Sequence, residues 1–233
     1  MNRLRLYTEM SPGGASYDTY WATGEKVKGV VRTHIAHIDD ARMAAEMAAA
    51  NHLLVNRNVS GHHKTGRGLV ITFSGGVVRK LLREKSDKHY LARYANFLRT
   101  RFLGCEILVE NRKGEWATQD CLADLEEFHV TEAAVCHIDI PAVGPCEVTA
   151  HAVEQFQERF GLAPENIWRK LNKIAPTLRP QSPLPRNVRH DMKHRQPGRR
   201  YVTASGDLAV VITPPLRPGR RPSIVTVLSL APA

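Results

Sequence analysis

The sequence predicts an α+β protein of two domains, and three observations lead to that expectation. Strand and helix patterns follow each other in the order β-β-β-α-β-α-α-β-α over residues 1–132, which indicates a mixed sheet with helices. Residues 146–233 show two helices and then an antiparallel sheet, which indicates a smaller α+β domain. Between them, residues 133–145 contain Pro141, Gly144 and Pro145, which are typical of a linker or one added strand.

The elements of the first domain follow from apolar periodicity and turn residues. Alternating or continuous apolar runs predict five strands, and the 3.6-residue period together with candidate caps predicts four helices. The strands are expected at residues 4–8, 16–23, 26–35, 69–73 and 106–110, and the helices at about 40–55, 77–84, 89–102 and 118–128.

The second domain opens with a helix between Thr149, a favourable N-cap, and Gly161, a favourable stop. A second helix is expected from Pro164 to about Ile174, and three strands at 200–204, 208–213 and 223–228. The segment between them, residues 175–198, is rich in proline and basic residues.

Charge is distributed unevenly along the 233 residues, whose formal net charge is +10. Residues 145–233 hold 14 Lys+Arg against 6 Asp+Glu, a net of +8, whereas the preceding residues hold 19 and 17, a net of +2. A basic C-terminal third favours a polyanionic partner, nucleic acid first. The four cysteines show no zinc-binding spacing, and no apolar run is long enough for a signal peptide or a membrane span, so we expect reduced thiols and a cytoplasmic protein.

The N-terminal domain resembles the ribonuclease H-like fold. Three segments carry the resemblance, namely Tyr7-Thr8-Glu9-Met10-Ser11, Arg42 to Ala49 and Ile71-Thr72-Phe73-Ser74-Gly75. Members of that family hold two divalent metals with four carboxylates. In this chain Glu9 follows Tyr-Thr at the position where the family has aspartate, and Ser74 replaces the aspartate of the fourth strand. Ala44 takes the place of the helix glutamate, and we expect the nearby Glu46 to face elsewhere. Asp120 or Asp124 would stand for the last carboxylate, and we expect this domain to be inactive and kept for binding or assembly.

The C-terminal domain resembles small ribonucleases of the RelE/barnase/EndoU/colicin class. The motif His-Ala-x-x-[RQ]-x-x-x-Arg is matched by His151-Ala152-Val153-Glu154-Gln155-Phe156-Gln157-Glu158-Arg159, with Gln155 where arginine is common. An Ile-Val-Thr-Val strand follows at residues 224–227. The resemblance implies a toxin-like or RNA-processing ribonuclease that uses no cofactor and no metal.

Metal-free RNA cleavage needs proton-transfer groups and cations for the phosphate in flight. Histidine suits proton transfer near neutral pH, and arginine binds two phosphate oxygens at once. The candidates are His151 as general base or acid, Arg159 and Arg200 as phosphate ligands, and Tyr201 or Thr226 as hydrogen-bond donors. Phosphate binding alone needs only clustered basic residues, and we assign it to Arg179, Arg186, Arg189, Lys193, Arg195, Arg199, Arg220 and Arg221.

Three functions remain open from the sequence. The first is a metal-independent endoribonuclease, the second a non-catalytic RNA- or DNA-binding or protein-interaction module, and the third a metal-dependent nuclease in the first domain. RNA is expected ahead of DNA, a protein partner or inhibitor stays open, and no membrane association is expected.

Overall fold

The computed structural model describes residues 2–36, 38–61, 65–181, 198–215 and 217–230. It has an α+β fold with two mixed six-stranded sheets. Each sheet belongs to its own compact unit, and the boundary falls between Ala134 and Val135.

The first sheet has the strand order β5-β4-β1-β2-β3-β6. Strand β2 is antiparallel to both β1 and β3, whereas β4 is parallel to β1, β5 to β4 and β6 to β3. The strands are β1 (Asn2–Met10), β2 (Tyr17–Thr23), β3 (Val27–Ile35), β4 (Leu69–Phe73), β5 (Glu106–Val109) and β6 (Leu125–Val130).

Helix α1 (Ala41–Val55) packs on one face of this sheet. Its residues from Met43 to Asn51 are all buried, because small alanine side chains let the helix lie close to the strands. Two short helices follow, α2 (Val77–Leu82) and α3 (Asn96–Arg99). On the sheet's other face, Tyr20 and Val30 pack with Ala117 and Cys121.

Two helix predictions in this unit were wrong. Residues 118–128 were expected to be helical, but Gln119–Asp124 form a 3-10 helix and Leu125–Val130 form strand β6. Residues 89–102 contain only a 3-10 turn at His89–Leu91 and the single-turn helix α3. The five predicted strands of this unit are present.

The second sheet has the order β7-β8-β12-β11-β10-β9. We expected it to be antiparallel, but β8 is parallel to β12, so the sheet is mixed. The segment 133–145, expected to be a linker or one added strand, supplies β7 and the first two residues of β8. The strands are β7 (His137–Ile140), β8 (Gly144–Val148), β9 (Arg179–Pro180), β10 (Arg199–Val202), β11 (Leu208–Thr213) and β12 (Ser223–Ser229).

The two faces of the second sheet differ in burial. Cross-strand partners share a face and successive residues alternate, so the register assigns each side chain to a face. We call inner the face on which most side chains are buried, and its buried members are Ile138, Ile140, Cys146, Val148, Tyr201, Leu208, Val210, Ile212, Ile224 and Val227. On the opposite, outer face, most side chains are half-buried or exposed.

Helices α4 (Ala150–Phe160) and α5 (Pro164–Ile174) supply the apolar partners of the inner face. Helix α4 lies along β12, and α5 contacts both α4 and β7. The buried side chains of α4 are Ala152, Val153 and Phe156, which recur at helical spacing. Among the residues that the structure describes, no helix combines the length and apolar character needed to cross a lipid bilayer.

Candidate functional site

His151 and Arg159 lie at opposite ends of α4. The helix begins where Thr149 Oγ1 accepts a hydrogen bond from the Ala152 amide at 3.1 Å, and it ends at Gly161 with φ of 58°. His151 is exposed, and it has no hydrogen-bond partner among the described residues. Arg159 donates to the backbone carbonyl of Val227 on β12. Eight residues of helix separate the two Cα atoms by about 12 Å along the axis.

Arg200 and Thr226 share the outer face of the second sheet. Arg200 pairs with Val211, and Val211 pairs with Thr226, so the three side chains form a row across β10, β11 and β12. Arg200 is only 6% exposed, and its Nε has no hydrogen-bond partner within the described ranges. Burial lowers the pKa of this guanidinium from its usual value.

Tyr201 faces the other way. It pairs with Val210, which pairs with Val227, and all three side chains are buried on the inner face. The five residues predicted to be catalytic therefore occupy separate places: the N-terminal turn of α4, its C-terminal turn, the outer face and the inner face of the sheet. The structure does not bring them together around one phosphate, and their catalytic roles stay predictions.

Of the eight basic residues predicted to bind nucleic acid, Arg186, Arg189, Lys193 and Arg195 lie outside the described residues. Arg179, on β9, donates from Nη1 to the carbonyls of Pro176 and Leu178, at 2.9 Å each.

The other three predicted basic residues lie at one end of the sheet. Arg199 begins β10 and pairs with Ile212, near the end of β11. Arg220 and Arg221 are separated from β12 only by Pro222, and the first residue of β12 pairs with Thr213. Arg221 also donates to His137 Nδ1 at 2.8 Å. These cations therefore share one end of the sheet with the loop that joins β11 to β12.

A groove of about 380 Å³ lies at this end, and it brings Arg199 and Tyr201 together. The two residues are two apart on β10, so both side chains point to the same face. None of the described lining residues carries a carboxylate. The other lining residues are Val143, Ile212, Thr213, Pro214, Pro215 and Pro222.

Sequence reasoning missed two features of this end of the sheet. Arg217 is exposed in the β11–β12 loop and adds a further positive charge. The prolines at 214, 215 and 222 form apolar walls, whereas the sequence indicated only a basic loop. The i, i+2 spacing of Arg199 and Tyr201 in a predicted strand was the available signal for a shared site.

A second polar cluster lies in the first unit, where the ribonuclease H-like resemblance would have metal-binding carboxylates. We expected Glu46 to face elsewhere, and this was wrong: Glu46 Oε1 accepts the Ser74 amide at 2.9 Å, at the end of β4. Arg42 Nη1 donates to Ser74 Oγ at 2.8 Å and to the Thr8 carbonyl at 3.1 Å. Burial raises the pKa of Glu46 to about 6, because the Ser74 hydrogen bond and the charge of Arg42 offset only part of the desolvation.

The remaining carboxylates of that resemblance are paired with cations. Glu9 lies 2.7 Å from Lys113 Nζ, and Asp120 lies 3.2 Å from Lys28 Nζ. Asp124 lies 3.7 Å from Arg57. Within the described ranges, no group of three or more His, Cys, Asp or Glu side chains is arranged to hold a metal ion. His62 and His63, a neighbouring pair that the sequence offers as a further candidate for binding a metal, lie outside the described residues.

No protein-family model, no curated protein and no solved structure matches this chain.

Proposed function

We propose that the protein binds nucleic acid through its second unit. The observation that carries the proposal is the shared groove of Arg199 and Tyr201, beside a loop that holds Arg217, Arg220 and Arg221. Both groove residues were singled out from the sequence, one for phosphate binding and one as a hydrogen-bond donor. Their common location supports a binding site at the end of the second sheet.

The chemistry of this end suits a polyanion. Arginine forms paired hydrogen bonds with phosphate oxygens, and each phosphate that is neutralised releases condensed counterions. The described residues of the groove lining contribute a guanidinium and no carboxylate, so they do not repel a phosphate. The net charge of +8 over residues 145–233 acts in the same direction at longer range.

Binding without cleavage is the better-supported form of this function. General acid–base catalysis needs its proton-transfer groups within hydrogen-bond reach of the reacting atoms. His151 is separated from Arg159 by two helical turns, and Arg159 bonds a backbone carbonyl of β12. A metal-independent endoribonuclease would therefore need groups other than the predicted set. RNA is the preferred ligand, and the cytoplasm the preferred location, on the grounds given for the sequence.

We further propose that the first unit is a ribonuclease H-like domain without metal chemistry, used for binding or assembly. The observed order β-β-β-α-β-α-α-β up to β5 supports the fold. The contacts of Arg42 support a domain that does not bind metal ions. Its guanidinium already donates hydrogen bonds to oxygen atoms of Thr8 and Ser74, beside the Glu46 carboxylate. For the second unit, two helices followed by strands β9 to β12 support a RelE/EndoU-like domain.

Fluorescence anisotropy with labelled RNA and DNA tests the binding function. We expect affinity to fall steeply as salt rises from about 50 to about 200 mM. Arg199→Gln should weaken binding and reduce the slope of log K against log salt by about 0.7 for a single strand. Arg169→Gln, which removes the same charge from the exposed side of α5, is the matched control. Binding that ignores salt, or equal losses in both variants, would argue against an interface at this end of the sheet.

A cleavage assay separates the other functions. In EDTA, we expect no turnover of labelled RNA at any pH from about 5 to 9, and no difference between the parent and His151→Ala. EDTA-resistant cleavage that His151→Ala abolishes would favour the endoribonuclease. Magnesium-dependent cleavage of an RNA–DNA hybrid, lost in Glu46→Gln, would favour a metal-dependent nuclease in the first unit.

A further inference from the structure

The groove at the end of the second sheet has the volume of a small ligand site. Its volume of about 380 Å³ lies within the range of about 300–1,000 Å³ found for small-molecule sites. Tyr201, 6% exposed, and Arg199, exposed at the start of β10, both line it. The described lining is therefore mostly apolar and carries the positive charge of Arg199.

Its walls exclude one common kind of occupant. Pro214, Pro215 and Pro222 have no backbone N–H group, so they cannot provide donors for an added peptide strand. A peptide inserted there would lose water from its own amide groups without replacing all of those hydrogen bonds. Among the described lining residues, apolar prolines, an aromatic ring and a guanidinium instead match a planar ring attached to an anionic group.

A nucleotide of a single strand combines those two features. Its base has an apolar face that stacks on aromatic side chains, and its phosphate suits arginine. In a duplex the base faces are covered by neighbouring base pairs and are not available to a groove.

We propose that this groove holds one unpaired base of a single-stranded nucleic acid, with the adjoining phosphate on Arg199. The proposal rests on the proposed function and narrows it from nucleic acid in general to strands with exposed bases. The arginines of the β11–β12 loop then follow the backbone on either side of the bound nucleotide.

Three polyanions of equal length test the proposal by anisotropy on the full chain: an RNA single strand of about 16 nucleotides, its blunt duplex, and the same strand with abasic sites. The abasic strand keeps every phosphate and lacks the bases. We expect the intact strand to bind at least about tenfold more tightly than the other two. Photocrosslinking of a strand that carries 5-iodouridine should label the peptide that contains Tyr201.

Val143→Trp provides the matched variant, because it fills the groove and changes no charge. It should lower affinity for the intact strand about tenfold, to the level of the abasic strand, and change duplex binding less than about twofold. Near-ultraviolet circular dichroism checks that the variant is folded. Arg199→Gln, at an exposed position, is the second variant and should weaken the binding of the intact strand.

The outcomes distinguish this proposal from the function on which it rests. If all three polyanions bind with the same affinity and salt slope, and Val143→Trp alters none of them, the base site is overturned and general nucleic-acid binding stands. If the intact strand is preferred but crosslinks form elsewhere and Val143→Trp has no effect, the base site is at another place. If no polyanion binds, both proposals are overturned.

Discussion

The stability of the first unit should depend on the protonation of Glu46. This side chain is 0% exposed, on a helix that packs against the sheet, and its Oε1 accepts the Ser74 amide. Its Oε2 has no hydrogen-bond partner among the residues that the structure describes. Burial disfavours the charged carboxylate and raises the pKa of Glu46 from 4.5 to about 6.

The sign of the effect follows from proton linkage. Because the pKa is higher in the folded state than in the unfolded chain, the folded state binds more protons in the interval between the two values. The stabilising contribution of Glu46 is fully present below about pH 4.5 and is lost as pH rises through about 6. The difference between 4.5 and about 6 corresponds to a free energy of about 2 kcal/mol.

Glu46→Gln removes the titration and keeps an amide oxygen that can accept the Ser74 amide. Relative to the parent, the free energy of unfolding of the variant should rise by about 2 kcal/mol between about pH 4 and pH 7.5. Because the chain has two units, a single unfolding curve is not sufficient. We would therefore measure the urea midpoint of the first unit by itself, using pulsed hydrogen exchange and mass spectrometry of peptides from α1.

Glu25→Gln is the control, since Glu25 is exposed in the turn between β2 and β3 and the substitution removes the same charge. If the stability difference between Glu46→Gln and the parent stays constant within about 0.5 kcal/mol over that pH range, the carboxyl titrates alike in both states. The account of a desolvated Glu46 would then be refuted.

Three further substitutions test individual contacts with the same peptide-resolved measurement. Thr149→Ala removes the N-cap of α4 and should destabilise only the second unit, by about 1 kcal/mol, whereas Thr149→Ser should not. Asp18→Asn removes the carboxylate charge and one of the two oxygen atoms that accept from Arg32, at 2.7 and 2.9 Å, and it should cost the first unit about 2 kcal/mol. Arg42→Met removes the hydrogen bonds to Ser74 Oγ and the Thr8 carbonyl together with a cation that lowers the pKa of Glu46, and it should cost about 2 kcal/mol at neutral pH, with less loss at low pH. A change in the stability of the other unit, or no change in either unit, would contradict the role given to the contact.

The sequence predicted a strand of the first sheet correctly where a local pattern, either a continuous apolar run or an alternation of apolar and polar residues, specified it. Strand β4 is a continuous apolar run with all five residues buried, and β1 alternates between its two faces. Strand β6 had no such signal, because its residues from Leu125 to His129 are half-buried or exposed on both faces. Its parallel pairing with β3 holds it in place, and a helix-like pattern of leucine and acidic residues concealed it.

The segment 89–102 shows a different kind of error. Leu91, Ala95, Leu98 and Phe102 are all buried, so the helical spacing did identify the side chains that face the core. The backbone leaves the α-helical pattern through hydrogen bonds between residues three apart, such as those from the Tyr94 amide to the Leu91 carbonyl and from the Leu98 amide to the Ala95 carbonyl, at 3.0 Å each. Such 3-10-type turns keep apolar side chains at similar spacing, so the apolar periodicity does not distinguish them from an α-helix.

Part of the catalytic hypothesis could have been excluded from the sequence. Arg200 and Tyr201 are adjacent in a predicted strand, and successive strand residues face opposite sides. His151 and Arg159 are two helical turns apart, about 12 Å. The direction in which Glu46 points could not have been predicted in this way. Helix α1 is buried from Met43 to Asn51, and its alanines give no preferred face.

The groove depends on the register of three strands, which no local pattern specifies. Its walls come from Val143 before β8, from Pro214 and Pro215 after β11, and from Pro222 before β12. They meet because β12 pairs with β11 on one side and with β8 on the other, and β12 carries one extra residue opposite Val211 and Ile212. A one-residue slip would exchange the two faces of β12 and bring Thr226 to the face of Tyr201. The strand's sequence alone, Ser-Ile-Val-Thr-Val-Leu-Ser, is compatible with either arrangement, so the separation of Thr226 from the groove is a property of the pairing and not of the motif.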